Sequence, residues 1–554
     1  MPSAFPNIER QMETKGDEDY NPSIRLFGRR FFSDQTVQEL LIEFLLIAVS
    51  SKRIAGKQLA EGALFPAIDL LRSWPSDAPL KYAPKARLNL KLFAFLGASK
   101  LDTRHESHRQ HYRDLVRDMR SPAKLNPGSL DKDEVLKTLE NLFLGFQSVG
   151  GQRTWCAQAF LPVNRTVLAA ETLWNETTAH RAGVKHWSSV VDRFLHFFSF
   201  GRHRFLARGG ELLYLQLCNA LSQDQTNIRT WADSAGLSLT QRESSPSELL
   251  KALERALASV LDACPETVGK LAEFLDTGVD AETARQTDFQ AGTNEQRFAS
   301  CGWCPEESWH EGLLFAVEFL RICEAVIDPI KRLEMLEIGC AMQVLRSLCA
   351  QSVRYARSNV QATEGIGALG YVWAVSDPSG DQAVIKQISR RNVNAVQRLI
   401  FDAVRHPDLH EGLNTLSPKD LKSVINDMDK RYGHKLFLTV AKRIGLIVPK
   451  RGAGARFVFN DKLLRFLVLS VLRPGERVTY ESFKKLLLAH FGIAVDDENL
   501  AASCEWSGTS RLTTLGGKAD EWLTEMLDAA GVLIRLSDSC SLVLNPYDGG
   551  EVSQ

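Results

Sequence analysis

The sequence predicts a mainly α, multi-domain helical protein with C-terminal winged-helix-like α+β modules. Three observations lead to this fold class. Apolar residues recur at helical spacing over much of the chain between residue 34 and about residue 357. Beyond about residue 390, the pattern changes to short helices that are followed by pairs of short β-prone runs. The chain has 554 residues, a length that fits roughly three or four domains.

The N-terminal part of the chain divides into a tail and a helical domain. Residues 1–33 begin as a polar, acidic stretch, which predicts a flexible tail. A first helical domain is expected over residues 34–235. Its first helix has apolar residues on one face and is expected to be capped by Ser33 or Asp34.

A second helical domain is expected over residues 236–410. Near its end, residues 371–388 contain two β-prone runs that are separated by the turn formers Pro378, Ser379 and Gly380. This pattern predicts a β-hairpin near 371–388.

Residues 411–465 are interpreted as the first winged-helix-like module. Helices are predicted over 417–433 and 434–445, and a hairpin over 445–461 with the turn sequence KRGAG. Helix, helix and hairpin is the order of the C-terminal half of a winged helix. In that fold the second helix enters a major groove and the hairpin contacts the phosphate backbone.

Cations of this module are the candidate nucleic-acid-binding residues. Lys442 and Arg443 lie on the predicted second helix, and Lys450, Arg451 and Arg456 lie on the predicted hairpin. Lysine and arginine at these places would neutralise phosphates. The alternative is a module that packs against protein and has a merely solubilising turn, and the sequence leaves both open.

Residues 466–554 are interpreted as a second winged-helix-like module. A helix with Thr479 near its cap, a helix closed by Gly531 and a hairpin repeat the order of the first module. The turn of this hairpin carries Asp538 and no cation. We therefore expect the second module to bind protein or to pack within the chain.

Composition limits the classes of partner and compartment. The formal net charge is zero, so binding to nucleic acid must come from local patches. The cysteines are scattered, which favours reduced thiols and a cytoplasmic location. The most apolar run, residues 40–50, is too short to span a bilayer and contains Glu43, so no membrane association is expected.

Several short motifs in the sequence give weaker signals. The G-x-G-x-x-G match at 365–370 precedes a predicted strand, which inverts the dinucleotide-binding context, and the P-loop pattern is absent. Cys301 and Cys304 form a single C-x-x-C without a second ligand pair. The arginine-rich segment with three histidines at 105–111 is interpreted as a solvated or phosphate-contacting basic helix. The glycine pair at 209–210 is interpreted as a tight turn or as an anion site. No cofactor and no metal are expected.

An enzymatic alternative rests on Asp377, Asp381 and Lys386 in the predicted hairpin. Metal-dependent nucleases place carboxylates and a lysine on such hairpins. The usual E-x-K or D-x-K ending is missing. A metal-dependent nuclease is therefore the second hypothesis.

Phrases across the chain resemble bacterial proteins of anti-phage defence islands, in particular the accessory subunits of Druantia-type systems. The phrases are GRRFFSDQTVQELLIEFLL, GQRTWCAQAFLPV, RFLARGGELLYL, MQVLRSLCAQSVRYAR and LSDSCSLVLNPY. The resemblance implies antiviral defence in a multi-subunit setting with a large helicase among the partners. It brings no catalytic residue with it. The first hypothesis is thus a non-catalytic adaptor of a prokaryotic defence complex that binds double-stranded DNA or protein.

Overall fold

The computed structural model describes residues 3–7, 21–28, 31, 35–83, 209–263, 298–356, 366–510, 519–537 and 540–548, together with short pieces between 156 and 199. The histidines at 105, 108 and 111, the arginines at 202, 204 and 208, and Asp538 of the second hairpin turn lie outside the described residues.

The described residues are mainly helical, as the sequence predicts. The helices are α1 (Pro22–Phe27), α2 (Val37–Val49), α3 (Ile68–Arg72), α4 (Gly209–Ser222), α5 (Gln225–Ser234), α6 (Gln241–Ser244), α7 (Pro246–Asp262), α8 (Trp309–Glu324), α9 (Pro329–Ala356), α10 (Ala383–Ala403), α11 (Pro418–Asp427), α12 (His434–Ile444), α13 (Asp461–Val471), α14 (Tyr480–Phe491), α15 (Asp497–Trp506) and α16 (Glu521–Ala529). No helix in this part of the chain combines the length and apolar character that crossing a lipid bilayer requires.

The strands are short and form small sheets. They are β1 (Ala4–Phe5), β2 (Ser51–Ile54), β3 (Lys57–Gln58), β4 (Lys81–Ala83), β5 (Cys156–Ala157), β6 (Thr172–Trp174), β7 (Phe198–Ser199), β8 (Ala299–Ser300), β9 (Cys304–Pro305), β10 (Trp373–Ala374), β11 (Ile447–Val448), β12 (Arg456–Phe457), β13 (Arg477–Thr479), β14 (Ile493–Ala494), β15 (Leu533–Ser537) and β16 (Cys540–Leu544). The sheet orders that matter below are β10-β14, β11-β12 and β13-β16-β15.

The centre of the molecule is built from α2, α4, α8 and α9. Helix α4 packs against α2 and α8, and α9 packs against α8, α2 and α10. Nearly every residue of α4 is buried, and α8 and α9 bury polar as well as apolar side chains. One apolar core extends from these helices into the C-terminal unit, which we define as α13 to β16 (residues 461–544). The predicted domain boundaries at 235/236, 410/411 and 465/466 stay a prediction.

The start of α2 corrects a detail of the sequence interpretation. Its cap is Thr36, whose hydroxyl accepts the Glu39 amide at 3.2 Å while the Glu39 carboxylate accepts the Thr36 amide at 2.6 Å. This reciprocal capping box satisfies two amides of the first turn. Ser33 and Asp34 are therefore not the cap.

The expectation of a flexible tail over 1–33 is wrong where the structure describes it. Strand β1 pairs antiparallel with β9, and all six residues of α1 are buried. The Arg25 guanidinium donates to the carbonyl oxygens of Leu409 (2.9 Å) and Glu411 (2.6 Å). The apolar side chains of α1 and this remote pair of acceptors fix a segment that looks like a polar tail in sequence.

The predicted hairpin near 371–388 is also wrong. Only its first half is extended, and β10 pairs in parallel with β14 instead of with the following residues. The second half begins the 21-residue helix α10. The buried residues of α10 recur at three- and four-residue spacing, namely Ile385, Ile388, Ser389, Asn392, Val393, Val396, Leu399, Ile400 and Ala403. That helical periodicity outweighs the local β propensity of the first turn.

A buried ion pair joins the central helices to the C-terminal unit. The guanidinium of Arg346, with a side-chain exposure of 0%, makes two hydrogen bonds to the Glu318 carboxylate, at 2.7 and 2.8 Å. It also donates to the backbone oxygen of His490 (2.8 Å) and to the side chain of Gln343 (2.8 Å). The His490 imidazole Nδ1 lies 2.8 Å from the same carboxylate. The hydrogen-bond donors of Arg346 thus find their acceptors within the fold.

Replacing Arg346 alone by methionine is expected to lower the free energy of unfolding by about 3–5 kcal/mol, because Glu318 is left as a buried charge without its partner. The double variant Arg346→Met/Glu318→Leu should recover part of this loss, since both charges are gone. Urea unfolding followed by circular dichroism measures both. If the loss of unfolding free energy in the double variant equals the sum of the losses caused by Arg346→Met and by Glu318→Leu alone, the two side chains are not coupled.

The carboxyl group of Glu337 in α9 makes stability depend on pH. Burial and the neighbouring Glu334 carboxylate raise the pKa of Glu337 to about 7, against smaller opposite effects of Lys462 and Gln38. An acid with a raised pKa stabilises the fold below its unfolded value near 4.5. That contribution is lost as the pH rises toward 7.

Glu337→Gln cannot ionise, so the variant should gain stability over the wild type as the pH rises. The difference is expected to be small at pH 4 and about 2–3 kcal/mol at pH 8. Unfolding curves at several pH values test this, with the exposed Glu525→Gln as the control. Parallel curves for wild type and Glu337→Gln would refute it.

Candidate nucleic-acid interface

The hairpin after α12 forms as the sequence predicts. Helix α11 begins after Ser417, whose hydroxyl accepts the Asp420 amide at 3.2 Å, and α12 ends at Gly445 with a left-handed φ of +80°. Strands β11 and β12 then pair antiparallel. The helix caps and the hairpin are thus local features that the residue types specify.

Lys450 and Arg451 lie at the tip of this hairpin, and both are exposed. Gly452 and Gly454 hold φ angles of +95° and +84°, which residues with a Cβ rarely adopt. The two glycines therefore allow the tight turn that carries the two cations outward. The placement of these two candidate residues agrees with the prediction.

Arg456 does not lie at the exposed tip, and its predicted role in phosphate contact is corrected. Only 8% of the residue is exposed. Its guanidinium donates to the Ser376 hydroxyl (3.0 Å) and to the carbonyl oxygens of Asp377 (2.9 Å) and Pro378 (2.9 Å). The guanidinium of Arg456 thus forms hydrogen bonds to the loop before α10 and does not face solvent as a phosphate ligand would. Sequence reasoning missed this because the acceptors are about 80 residues away in the chain.

Helix α12, the expected groove-reading helix, is largely covered. Of its 11 residues only Lys435 and Arg443 are exposed, and Lys442 is half-buried. The Arg443 guanidinium donates to the backbone oxygen of Gln35 just before α2. The helix packs against α9, α10 and α2. Arg443 therefore attaches α12, and with it the hairpin that follows, to the central helices.

Helix α10 places two further cations, Lys386 and Arg390, beside the hairpin. They are not among the candidate nucleic-acid-binding residues predicted from the sequence. A Cβ placed on Gly454 would lie 3.1 Å from the Arg390 guanidinium, so Arg390 covers the backbone of the hairpin tip. The Lys386 ammonium donates to the Gly380 carbonyl at 3.3 Å. Lys386 and Arg390 stand four residues apart on a helix, a spacing that could have revealed a common face.

We call Lys386, Arg390, Lys450 and Arg451 the hairpin patch. Among the described residues, none of these four side chains forms an ion pair. Arg390 also lies close enough to Arg456 to lower the pKa of that guanidinium, although burial is the larger cause. Like charges gathered without partners create a local positive potential on a chain of zero net charge.

Of the two carboxylates expected to hold a metal, that of Asp377 instead orders the loop before α10. The Asp377 Oδ2 atom accepts the Ser379 hydroxyl and the Asp381 amide, both at 2.7 Å. Burial raises the pKa of Asp377, but these hydrogen bonds outweigh it and hold the pKa below its usual value. Within the described ranges, no three His, Cys, Asp or Glu side chains come together as a metal site.

The two cysteines of the C-x-x-C lie inside the fold. Cys301 and Cys304 are both buried, and the Cys304 thiol donates to the Phe5 carbonyl at 3.5 Å. Burial raises the pKa of Cys304 to about 12, so this thiol stays protonated. A buried thiol that is held protonated is a poor nucleophile at neutral pH.

The glycine pair at the start of α4 is used by side chains of α2 and the residues before it. The Gly209 amide donates to the Gln35 side chain at 3.1 Å, and the Gly210 amide donates to the Glu43 carboxylate at 3.0 Å. Burial and the Glu211 carboxylate raise the pKa of Glu43 well above its usual value. These two amides of the first helical turn thus have acceptors within the fold. The arginines of the predicted turn lie outside the described residues, so the choice between a tight turn and an anion site stays a prediction.

Comparisons of this chain with family models, with curated proteins and with solved structures found no match.

Arg456→Ala is expected to lower the free energy of unfolding by about 2–3 kcal/mol, because three carbonyl or hydroxyl acceptors lose a charged donor. Lys450→Ala and Arg451→Ala should change it by no more than about 0.5 kcal/mol, since both side chains are exposed. Thermal and urea unfolding of the three variants provide the comparison. Equal losses for all three would show that Arg456 is not the internal anchor.

Proposed function

We propose that this protein is a non-catalytic adaptor that binds the phosphate backbone of double-stranded DNA through the hairpin patch. The observation that carries the proposal is the position of the Arg390 guanidinium against Gly454 of the hairpin tip. It brings the cation-bearing part of α10 to the tip that carries Lys450 and Arg451, and none of the four cations of the patch has an ion-pair partner among the described residues. Cations held in this way release counterions from DNA and bind it without regard to sequence.

The topology of the C-terminal unit supports a winged-helix assignment. Helix α13, strand β13, helix α14, helix α16 and the β15–β16 hairpin follow one another, with β14 and α15 inserted before α16. The first strand pairs with the last, which gives the order β13-β16-β15. Helix–strand–helix–helix–hairpin is the plan of a helix-turn-helix with an appended wing.

We assign different partners to the hairpin after α12 and to the C-terminal unit because their exposed charges differ. The exposed residues of α16 include Glu521, Glu525 and Asp528, which would repel phosphate. The hairpin beside α16 exposes Leu536 at 59%. Acidic and apolar side chains fit a protein partner, whereas the hairpin patch fits DNA.

We further propose a prokaryotic antiviral defence complex in the cytoplasm as the setting, with a large helicase among the partner subunits. This part of the proposal is supported only by the resemblance of the five sequence segments quoted above to accessory subunits of Druantia-type systems. Recovery of the native complex with its partner subunits is the experiment that addresses it.

The quadruple variant Lys386→Ala/Arg390→Ala/Lys450→Ala/Arg451→Ala is expected to weaken duplex binding and to flatten its salt dependence. The slope of log K against log salt should fall by about 0.9 for each phosphate that the variant no longer neutralises, so by about 3–4 if all four cations engage. Fluorescence anisotropy with a random-sequence duplex at several salt concentrations measures the slope.

The control is Arg477→Ala/Lys485→Ala, which removes two exposed cations of the C-terminal unit. Its slope should equal that of the wild type. An unchanged slope in the quadruple variant would overturn the proposal, and the hairpin would then be a solubilising turn. Thermal melts of all variants verify that each is folded.

A further inference from the structure

The exposed face of α10 continues beyond the hairpin patch with side chains that can recognise bases. Around Arg390, which already belongs to the patch, the exposed and polar positions are Gln387, Arg391, Asn394 and Arg398. At 100° per residue these positions fall on one face of the helix, opposite its buried residues. The face is continuous over three turns.

No acidic residue interrupts this face. The sequence contains none between Asp381 and Asp402. Among the described residues, neither Arg391 nor Arg398 forms an ion pair, and no hydrogen bond of the Asn394 side chain is found. The donors and acceptors of the face are therefore available to a ligand.

The dimensions of the face fit a major groove. From Gln387 to Arg398 the helix rises roughly 17 Å at 1.5 Å per residue. The major groove of B-form DNA is about 12 Å wide and admits one α-helix. Arg390 of α10 lies against Gly454 of the hairpin tip, so the hairpin can contact phosphates where the helix enters the groove.

We propose that α10 is the groove-reading helix and that Asn394 and Arg398 read base edges, which gives this protein a DNA sequence preference. This inference rests on the proposed DNA binding. Asparagine matches the N6 and N7 edge of adenine, and arginine matches the O6 and N7 edge of guanine. Double-stranded RNA does not fit, because the deep, narrow major groove of A-form helices excludes side chains.

The experiment selects duplexes from a random DNA library with the full-length wild-type protein. The wild type should enrich a motif and bind it more tightly than a scrambled duplex, by about 5- to 150-fold for each base pair read by a bidentate side chain. Asn394→Ala should reduce this ratio by a similar factor, and its salt slope should stay that of the wild type. Competition with duplex RNA of the same sequence should have little effect.

Arg398→Lys separates base reading from charge. Lysine keeps the positive charge but lacks the planar pair of donors, so the preference at one position should fall and the salt slope should persist. Arg477→Lys in the C-terminal unit is the matched control and should change neither quantity. Because all these side chains are exposed, melting temperatures should stay within a few degrees of the wild type.

The results distinguish an error in the assignment of α10 from an error in the proposed DNA binding. Salt-dependent binding without an enriched motif, or a preference that survives both Asn394→Ala and Arg398→Lys, would overturn the assignment of α10. Absence of salt-dependent duplex binding would overturn both. Equal competition by duplex RNA would show that the patch recognises backbone charge and that α10 does not enter a major groove.

Discussion

The buried guanidinium of Arg346 sets the condition that the rest of the structure has to meet. A charge without access to water is tolerated only when carboxylates and carbonyls take up its donors. Glu318 on α8, Gln343 on α9 and the His490 carbonyl at the end of α14 supply these acceptors. Helices from the middle and the end of the chain must therefore arrive in one relative position. A second buried carboxylate, that of Glu243 in α6, forms ion pairs with Arg321 of α8 and with Arg473 just after α13. These ion pairs hold the three helices together in the same way.

The packing of the central helices determines where the hairpin patch and the acidic residues of α16 lie on the surface. The face of α12 that would be expected to bind DNA packs against the central helices, and Arg443 ties it to Gln35. Helix α10 lies on the outside and keeps a polar face in water. The hairpin tip then comes to rest on α10 through Gly454 and Arg390. The cations of the hairpin patch gather there, whereas the exposed acidic residues Glu521, Glu525 and Asp528 lie on another helix, α16.

Local signals in the sequence predict the parts of the fold that local chemistry controls. Ser417, Gly445 and Thr479 mark helix ends correctly because capping involves only the neighbouring residues. The prediction for residues 371–388 is wrong because the partner of β10 lies about 120 residues ahead, in β14. Arg456 is a cation next to a turn, and only the fold brings the carbonyls of Asp377 and Pro378 to it. Of the candidate site, the sequence reveals the two tip cations, while Arg390 depends on recognising α10 as a helix.

The long reach of the Arg346 hydrogen bonds has a consequence for synthesis of the chain on the ribosome. Arg346 and the carbonyl of His490 that it binds are separated by 144 residues. At roughly 5–20 residues per second, the helices of the first half are complete for many seconds before that acceptor emerges. During this interval the nascent chain holds a cation and its apolar surroundings without their final cover. Contacts between residues so far apart in the chain form slowly, and the incomplete intermediate is exposed to association with other chains meanwhile. Folding of such a chain is expected to benefit from a chaperone.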